Sequence, residues 1–399
     1  MISFGILPWQ RSRIKSNAGR KNMKLRIPIP NSLFRIGILL MIVKVLSSFT
    51  NIVEVSDFAD MVLSLAACLF FAGAVLQKRY SAKTLCVFAF LAALGLLTSL
   101  RTGNLNIFIS LVTCISLCGE DLDDTLAYML FWETAFVVTV AVISVIFHGC
   151  GISMMTLVGK EMQYNFGFSH PNVFACIATN LIAIYVWLHF RSLSAIATAV
   201  ILVLNILIYG LTGCRTTPVI TAFLLVAVFF LRKRDENWKF LRFCAAYIAP
   251  CLSVLFAVLC SIYTSQYALV DLLDKLLSKR IKLGAYHLHH YGISFWGQNV
   301  TDIVVKWDPF WKFSSVTFDN IFTYLLVSQL VWLVIICVLL YKCAKKGDNR
   351  TCIFILAWAM YGITEVHGIN PFMFFPVLIV SGLAGHGGRE ELCQKKAMQ

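Results

Sequence analysis

The sequence predicts an all-α polytopic integral membrane protein with about 12 transmembrane helices. Of its 399 residues, 59% are hydrophobic and 14% are charged, and the mean hydropathy is +0.78. Soluble globular domains carry about 25% charged residues. The apolar residues are grouped into runs close to the roughly 20 residues that a helix needs to cross about 30 Å of hydrocarbon. These observations exclude a soluble globular protein.

Twelve apolar runs, each bounded by charged residues, glycine or proline, are candidate spans. The fourth is short, and Pro250 predicts an irregularity in the ninth. The predicted spans are 33–50, 57–76, 84–100, 105–118, 126–148, 171–189, 193–212, 216–231, 243–263, 317–341, 351–366 and 370–385. This divides the chain into a basic tail (1–32), spans 1–9 (33–263), a long loop (264–316), spans 10–12 (317–385) and a C-terminal tail (386–399).

Lysine and arginine residues set the predicted orientation, because cytoplasmic loops of membrane proteins are enriched in both. Seven of them lie between residues 11 and 26, before the first span, and basic connections then alternate along the chain. The acidic loop at 120–124 is the exception, although acidic residues have little weight in this rule. Both termini are therefore predicted to be cytoplasmic. The net charge of +14 reflects this orientation and gives no evidence for a nucleic-acid partner.

Two of the predicted outer connections are long, at 149–170 and 264–316. Loops beyond about 15 residues are commonly functional or disordered, and the second one is too rich in aromatic residues for disorder. It contains Trp296, Trp307 and Trp311, which lie far enough from the predicted spans to stack on sugar rings. The long loop at 264–316 is therefore predicted to be a functional region of the outer face and to contain short helices.

Leucines at 272, 273, 276 and 277 have the spacing of an amphipathic helix that lies on the membrane surface over residues 271–284. If this helix continues, Arg280, His287 and Tyr291 share one of its faces, because they are seven and then four residues apart. Gly284 leaves that continuity open.

Three arginines, Arg101, Arg215 and Arg280, are predicted on the outer face, against the charge bias. A guanidinium at the edge of a cavity can bind phosphate or pyrophosphate through paired hydrogen bonds. The alternative for each is an interfacial arginine that touches lipid headgroups. The tight turn around Arg215 and the position of Arg280 in the long loop favour a functional role for these two together.

The segment Phe166–Asn172 leads into the span that begins at Pro171. His170 and Asn172 either cap that helix or belong to a site where backbone N–H groups meet an anion or a sugar hydroxyl.

Two further polar pairs flank predicted spans on the outer side: Asp319 with Asn320, and Glu365 with His367. They are either helix caps or the walls of a wet cavity, in which one carboxylate can act as a general base.

The histidines His287, His289 and His290 can supply a general base or a metal ligand. No compact set of carboxylates or cysteines accompanies them, and the chain's 14 cysteines include no C-x-x-C pair. The sequence therefore predicts no metal site and no cofactor.

Lys44 and Glu133 are ionisable residues inside predicted spans. Such residues commonly face the interior of a helix bundle and find partners there. They either pair with each other as structural groups or line a proton path.

The stretch Leu277–Leu283, followed by aromatic and histidine residues and then by Phe295-Trp-Gly-Gln298, resembles the L-x-x-R, helix, F/L-F-G segment of bacterial polysaccharide repeat-unit polymerases of the Wzy type and of the related O-antigen ligases. Val316–Tyr324 is similar to the D-N-x-(Y/F) start of their next span, and Gly167–Asn172 resembles their G-x-x-H-P-N motif. The resemblance covers roughly residues 160–382. Many relatives place a small residue and a glycine where this chain has Ser278-Lys279.

The resemblance implies a GT-C-like glycosyltransferase in the bacterial plasma membrane, active on its outer side. Such an enzyme polymerises repeat units into capsule, O-antigen or exopolysaccharide by moving the glycan from an undecaprenyl-pyrophosphate carrier to an acceptor sugar hydroxyl. It implies that Arg215 and Arg280 neutralise the departing pyrophosphate and that His170 or His287 orients or deprotonates the acceptor. Implied partners are the lipid-linked oligosaccharide, the lipid bilayer, a flippase and a chain-length regulator. The predicted substrate contacts are Arg101, Asn172, Tyr291, Trp296, Asp319, Asn320, Glu365 and His367.

Two alternatives stay open. A glycan ligase uses the same donor with a different acceptor, and the motifs do not separate it from a polymerase. A flippase or transporter for a lipid-linked glycan predicts inverted repeats and broken helices near the midplane, and the sequence shows no internal duplication. A purely structural membrane protein gives no reason for the long aromatic outer loop.

Overall fold

The computed structural model describes residues 32–52, 55–147, 155–158, 161–234, 238–265, 267–300, 311 and 318–383. The described helices are α1 (Ser32–Ser48), α2 (Asp57–Leu76), α3 (Ala82–Thr102), α4 (Asn106–Leu117), α5 (Leu122–Ile146), α6 (Pro171–Leu188), α7 (Ala195–Thr212), α8 (Thr216–Leu231), α9 (Lys239–Ile262), α10 (Ala268–Leu276), α11 (Arg280–Tyr291), α12 (Ile321–Ser328), α13 (Leu330–Lys346) and α14 (Asn349–Thr364). Strands β1 (Met155–Val158) and β2 (Glu161–Tyr164) form an antiparallel hairpin between α5 and α6.

Six of the described helices are long and apolar enough to cross a membrane: α2, α3, α5, α6, α7 and α9, the last counted with the 3₁₀ turn after it. In α7 only 17% of the apolar stretch is buried, compared with 72% in α6. An apolar surface of this kind is stable against lipid but not against water, so the all-α membrane protein is confirmed. The total of twelve spans stays a prediction.

The ends of several helices follow directly from the sequence. Ser56, Ser81 and Ser194 begin α2, α3 and α7, and each side chain accepts a hydrogen bond from the backbone N–H three residues later. Gly103 and Gly213 end α3 and α7 in the left-handed conformation that glycine adopts without strain. Helix α9 continues through Pro250.

The tenth predicted span differs from the structure, because α12 and α13 are separated at Gln329. The backbone groups released by this interruption are bound by the loop at 294–298. N–H groups of the loop donate to the carbonyls of Val327 (3.1 Å) and Ser328 (3.0 Å), and the N–H of Leu330 donates back to the loop (2.9 Å). Non-helical backbone inside a membrane bundle requires such partners. The apolar run contains no glycine or proline at this point, so its sequence gave no sign of the break.

The described part of the twelfth predicted span also differs, because Phe375–Ser381 forms a 3₁₀ helix. Asn180 of the central helix α6 is hydrogen-bonded to the start of this 3₁₀ segment. The Asn180 side chain accepts the N–H of Phe375 (2.8 Å), and its amide donates to the Phe372 carbonyl (3.4 Å) and to the Glu133 carboxylate (3.0 Å). Glu133 therefore pairs with Asn180 and not with Lys44, and its role here is to fix the amide that anchors this segment.

The single surface helix predicted over 271–284 is two helices. Ser278 and Lys279 separate α10 from α11 with φ angles of 54° and 68°. Helix α11 then runs through Gly284 as one helix, so Arg280, His287 and Tyr291 lie on one face as predicted. A β-carbon at Gly284 would lie 2.8 Å from the Cys260 sulfur of α9 and 2.9 Å from the Thr323 methyl group of α12. The glycine allows α11 to pack tightly against both helices, away from a position flat on the lipid surface.

Candidate functional site

A cavity of about 950 Å³ lies at one end of the helix bundle. It is surrounded by the last turns of α1 and α3, the first turns of α2, α4 and α6, the loop at 298–300, α12 with the residues before it, and the segment 365–370 that follows α14. Five residues predicted from three distant parts of the sequence line it together: His170, Asn172, Asp319, Glu365 and His367. We refer to this space as the glycan-side cavity, after the sugar contacts that the family resemblance predicts for these residues.

Amide and hydroxyl side chains form much of the remaining wall. The charged residues of the lining are Lys44, Asp60, Asp319 and Glu365, so carboxylates outnumber cations. Such a surface offers many donors and acceptors for sugar hydroxyls but only weak attraction for an anion. The uncharged polar lining residues are Ser48, Thr102, Asn104, Asn106, Gln298, Asn299, Tyr324, Ser328 and Asn370.

His170 is held at the cavity by the local path of the chain. Backbone hydrogen bonds from Ser169 to the Phe49 carbonyl (2.7 Å) and from Asn51 to the Gly167 carbonyl (2.8 Å) fix this segment against the end of α1. Gly167 has φ of 83°, and a β-carbon there would lie 2.9 Å from the Ser144 side chain, so the turn requires glycine.

The His170 ring also caps α6. Its Nδ1 accepts the backbone N–H of Asn172 (3.1 Å), so the neutral ring carries its proton on Nε2. Burial lowers the pKa of His170, and the Asp319 carboxylate partly opposes this change. The neutral ring is therefore suited to donate a hydrogen bond from Nε2 rather than to accept a proton there.

Glu365 follows the last residue of α14 and lies in the connection outside that helix. Its Oε1 accepts a hydrogen bond from the Thr216 hydroxyl of α8 (3.1 Å) and lies 3.8 Å from Nη2 of Arg280. Burial raises the pKa of the Glu365 carboxyl to about 7, and the Asp319 carboxylate adds to the increase while the Arg280 guanidinium opposes it. Glu365 thus gains and loses a proton near neutral pH.

Arg280 joins α11 to the end of α14. Besides its ion pair with Glu365, its Nε donates to the Thr364 carbonyl (2.9 Å). The side chain is 13% exposed and does not itself line the cavity. Arg215 is exposed at the start of α8, directly before Thr216. Arg280 thus contacts the Glu365 carboxylate directly, whereas Arg215 is only the sequence neighbour of Thr216, which donates to that carboxylate.

Asn320, predicted as a substrate contact, uses both ends of its side chain within the fold. Its oxygen accepts the N–H of Thr323 (2.9 Å) as the N-cap of α12, and its amide donates to the Ile363 carbonyl of α14 (3.0 Å). This residue positions its neighbour Asp319 at the cavity wall.

Several predicted site residues are not part of the cavity lining. His287 is buried, and its ring lies 3.6 Å from the Phe318 ring, centroid to centroid, and 6.1 Å from that of Tyr291. Arg101 and Trp296 are exposed on either side of the contact between α3 and the loop at 294–298.

The tryptophans of the long loop do not act as one group. Trp311 is buried, with its ring 6.0 Å from that of Tyr263 and 5.5 Å from that of Tyr286. It packs within the protein, in contrast to exposed Trp296. Trp307 lies outside the described residues.

The site also contains an ion pair that the sequence did not reveal. Lys44 of α1 lies 3.2 Å from Asp60 of α2, and the Ser48 hydroxyl donates to the same carboxylate (3.0 Å). The positions of the two residues in the sequence are consistent with this pair. A lysine near the end of one span and an aspartate near the start of the next lie close together when the two helices form a hairpin. Lys44 is therefore a cavity residue with a partner of its own.

Within the described residues, no group of three or more His, Cys, Asp or Glu side chains is arranged to hold a metal ion. Comparison of the chain with protein-family models, with curated proteins and with solved structures gives no match.

Proposed function

We propose that this protein is a GT-C-like membrane glycosyltransferase that polymerises undecaprenyl-pyrophosphate-linked oligosaccharide repeat units on the outer side of the bacterial plasma membrane. The proposal includes about twelve spans with both termini in the cytoplasm. Its main support is the convergence of two segments that resemble family motifs, carrying His170 and Asp319, with Glu365 on one large cavity. The lining of amides, hydroxyls and carboxylates has the chemistry that sugar recognition needs.

The backbone before Arg280 gives independent support for the resemblance. Lys279 has φ of 68°, a conformation that glycine adopts most easily. The resemblance places glycine at this position in many relatives, and glycine would adopt the backbone conformation that Lys279 has here without strain.

The proposed reaction joins two lipid-linked glycans. An acceptor sugar hydroxyl forms a bond to the anomeric carbon of the donor glycan, the bond from that carbon to the pyrophosphate breaks, and the carrier pyrophosphate leaves with the bonding electrons. The hydroxyl proton passes to Glu365, whose pKa of about 7 suits a general base at neutral pH. Nε2–H of His170 orients the acceptor. The resemblance assigns the leaving group to Arg280 and Arg215, which lie outside the cavity lining, and Arg280 is joined to the lining through its ion pair with Glu365.

The base assigned here is Glu365 and not His287. A base must reach the proton it removes, and Glu365 lines the cavity whereas His287 is buried outside its lining.

The decisive experiment uses purified protein in proteoliposomes. The substrate is lipid-linked oligosaccharide extracted from a strain of the source organism that lacks this protein. We expect wild-type protein to convert it into a ladder of longer glycans with release of undecaprenyl pyrophosphate. Glu365→Gln should lower the rate at least about a hundredfold, because the amide cannot accept the proton. Glu120→Gln is the matched control, since Glu120 forms an ion pair with Lys78 far from the cavity.

The same assay separates the alternatives. Transfer only after addition of the cell's own outer-surface glycan acceptor would replace the polymerase with a ligase. The interrupted helix at Gln329 is the observation that favours a flippase. Movement of the lipid-linked glycan across the bilayer without any ladder would overturn the polymerase in favour of that function.

A further inference from the structure

A second pocket, of about 400 Å³, lies at the opposite end of the same helices that border the glycan-side cavity. It is formed where α6 and α8 end and where α14 begins. Helix α6 has 18 residues, so at 1.5 Å per residue the two spaces are separated by roughly 25 Å. On the predicted topology this pocket faces the cytoplasm. We refer to it as the arginine pocket.

Three arginines from three different connections line the arginine pocket: Arg191 after α6, Arg234 after α8 and Arg350 in the first turn of α14. Asp348 is the acidic residue of the lining, and its carboxylate accepts the N–H of Thr351 as the N-cap of α14. Cations therefore exceed acids in the lining, the reverse of the glycan-side cavity.

The third arginine is held rigidly. The Arg350 guanidinium lies 3.1 Å from the Asp123 carboxylate and stacks 4.3 Å above the Trp187 ring. Trp187 in turn donates its indole N–H to the other oxygen of Asp123 (2.7 Å). A planar guanidinium that is stacked on an aromatic ring holds the N–H groups of its edge in a fixed direction and loses little entropy on binding an anion.

The other two arginines are exposed to this space. Arg191 and Arg234 are both exposed, and the Arg234 guanidinium lies 5.9 Å from the ring of Trp238, beside the pocket. The backbone N–H of Trp238 donates to Asn349 of the lining (2.9 Å), which joins the start of α9 to the start of α14. The pocket is thus built at the ends of three helices, with the start of α9 hydrogen-bonded to its lining, and does not depend on a single helix terminus.

We propose that the arginine pocket binds the phosphate group of an anion at the membrane surface. Arginine recognises phosphate through paired, charge-assisted hydrogen bonds, and basic pockets between membrane helices take anionic lipid headgroups in this way. The shared chemistry fits both an anionic phospholipid and a free phosphate. This site goes beyond the proposed glycan transfer, because neither sugar nor carrier is needed to occupy it.

The test measures thermal unfolding of the full-length purified protein in detergent at constant ionic strength. One arm adds phosphatidylglycerol against phosphatidylcholine, and the other adds sodium phosphate against sodium chloride. We expect at least one anionic probe to raise the midpoint of unfolding, since a ligand that binds only the folded state stabilises it. A response to phosphatidylglycerol alone identifies the headgroup of a lipid, and a response to inorganic phosphate identifies a free anion.

The double variant Arg191→Gln/Arg234→Gln should require at least about tenfold more of the active probe for the same increase. The matched control is Arg79→Gln/Lys83→Gln, which removes two exposed positive charges at the same end of the bundle but outside the pocket. The single variant Arg234→Gln supplies a second reading if the double variant unfolds without any probe. No increase in the wild type with either probe, or an equal loss in the control, would overturn the proposal.

Discussion

The two ends of α6 and α14 carry opposite chemistry. At one end lies a cavity of about 950 Å³ with more carboxylates than cations, and at the other a pocket of about 400 Å³ with three arginines. The apolar helices between them are continuous, so this difference comes from the short connecting segments. In this protein the spans fix the distance between two sites, and residues such as His170 and Arg350 at the helix ends determine what each site can bind.

The largest expected effect is a difference in labelling between the two ends. His290 is exposed at the end of α11, and Lys346 is exposed at the end of α13. In intact cells a membrane-impermeant maleimide should label His290→Cys fully and Lys346→Cys only after the membrane is opened. The unaltered chain, with its own 14 cysteines, provides the background. Labelling in the reverse pattern would contradict the assigned orientation and place the glycan-side cavity in the cytoplasm.

Removal of the Arg280 side chain should nearly abolish polymerisation. Arg280→Ala leaves the buried Glu365 carboxylate without its ion-pair partner, and it removes a cation assigned to the leaving group. We expect a loss of at least about a hundredfold in the proteoliposome assay, with single repeat units left on the carrier. Arg79→Ala, an exposed arginine at the other end, should retain activity. Long polymer from Arg280→Ala would refute the assigned role.

The pH dependence of the reaction should report on Glu365. Because burial raises its pKa to about 7, the ionised base is lost as the pH falls, and the rate should drop about tenfold per unit below pH 7. The described groups that interact with this carboxylate are Arg280, Thr216, Cys176, Cys214, Tyr361 and Asp319. Since the Asp319 charge raises the pKa of Glu365, Asp319→Asn should move the midpoint to lower pH. An unchanged midpoint would show that another group is the base.

The smallest effect is expected at Trp296, which is exposed next to the glycan-side cavity. Loss of one stacking surface costs about 1 kcal/mol, so Trp296→Ala should raise KM for the lipid-linked substrate about fivefold and leave kcat unchanged. Trp132→Ala, an exposed tryptophan of α5, should leave both constants unchanged. A fall in kcat with unchanged KM would contradict a role in substrate binding.

The sequence predicted the positions of the spans well where hydropathy and capping agree, as in α2 and α7. It also placed His170, Asp319 and Glu365 on one face, because orientation depends only on the alternation of charged connections. The sequence did not predict the break at Gln329, which is stabilised by hydrogen bonds from the distant loop at 294–298; this loop also places Gln298 in the lining of the same cavity. The sequence near Gln329 does not reveal hydrogen-bond partners that lie in a different part of the chain.

The periodicity of α11 showed which residues share a face but not which way that face turns. His287 was predicted as a candidate base beside Arg280, and it is buried against Phe318. Helix α11 packs closely against α9 and α12 at Gly284, and this packing sets the orientation of the helix. Tertiary packing of this kind decides whether a histidine meets substrate or the interior of the protein.

The loop at 294–298 is hydrogen-bonded to the interrupted helix mainly through its backbone. Some side chains of this loop can therefore be changed without loss of these bonds. Gly297 must be kept, because its φ is 113° and a β-carbon there would lie 3.2 Å from the Thr98 carbonyl oxygen. The Gln298 side chain must also be kept, because it donates to the Val327 carbonyl (2.7 Å). The exposed side chains at 295, 296 and 299 are not part of these backbone hydrogen bonds. A library of substitutions at these three positions would vary the surface beside the cavity without loosening the bundle, and is a practical starting point for redirecting the proposed transferase to a different glycan.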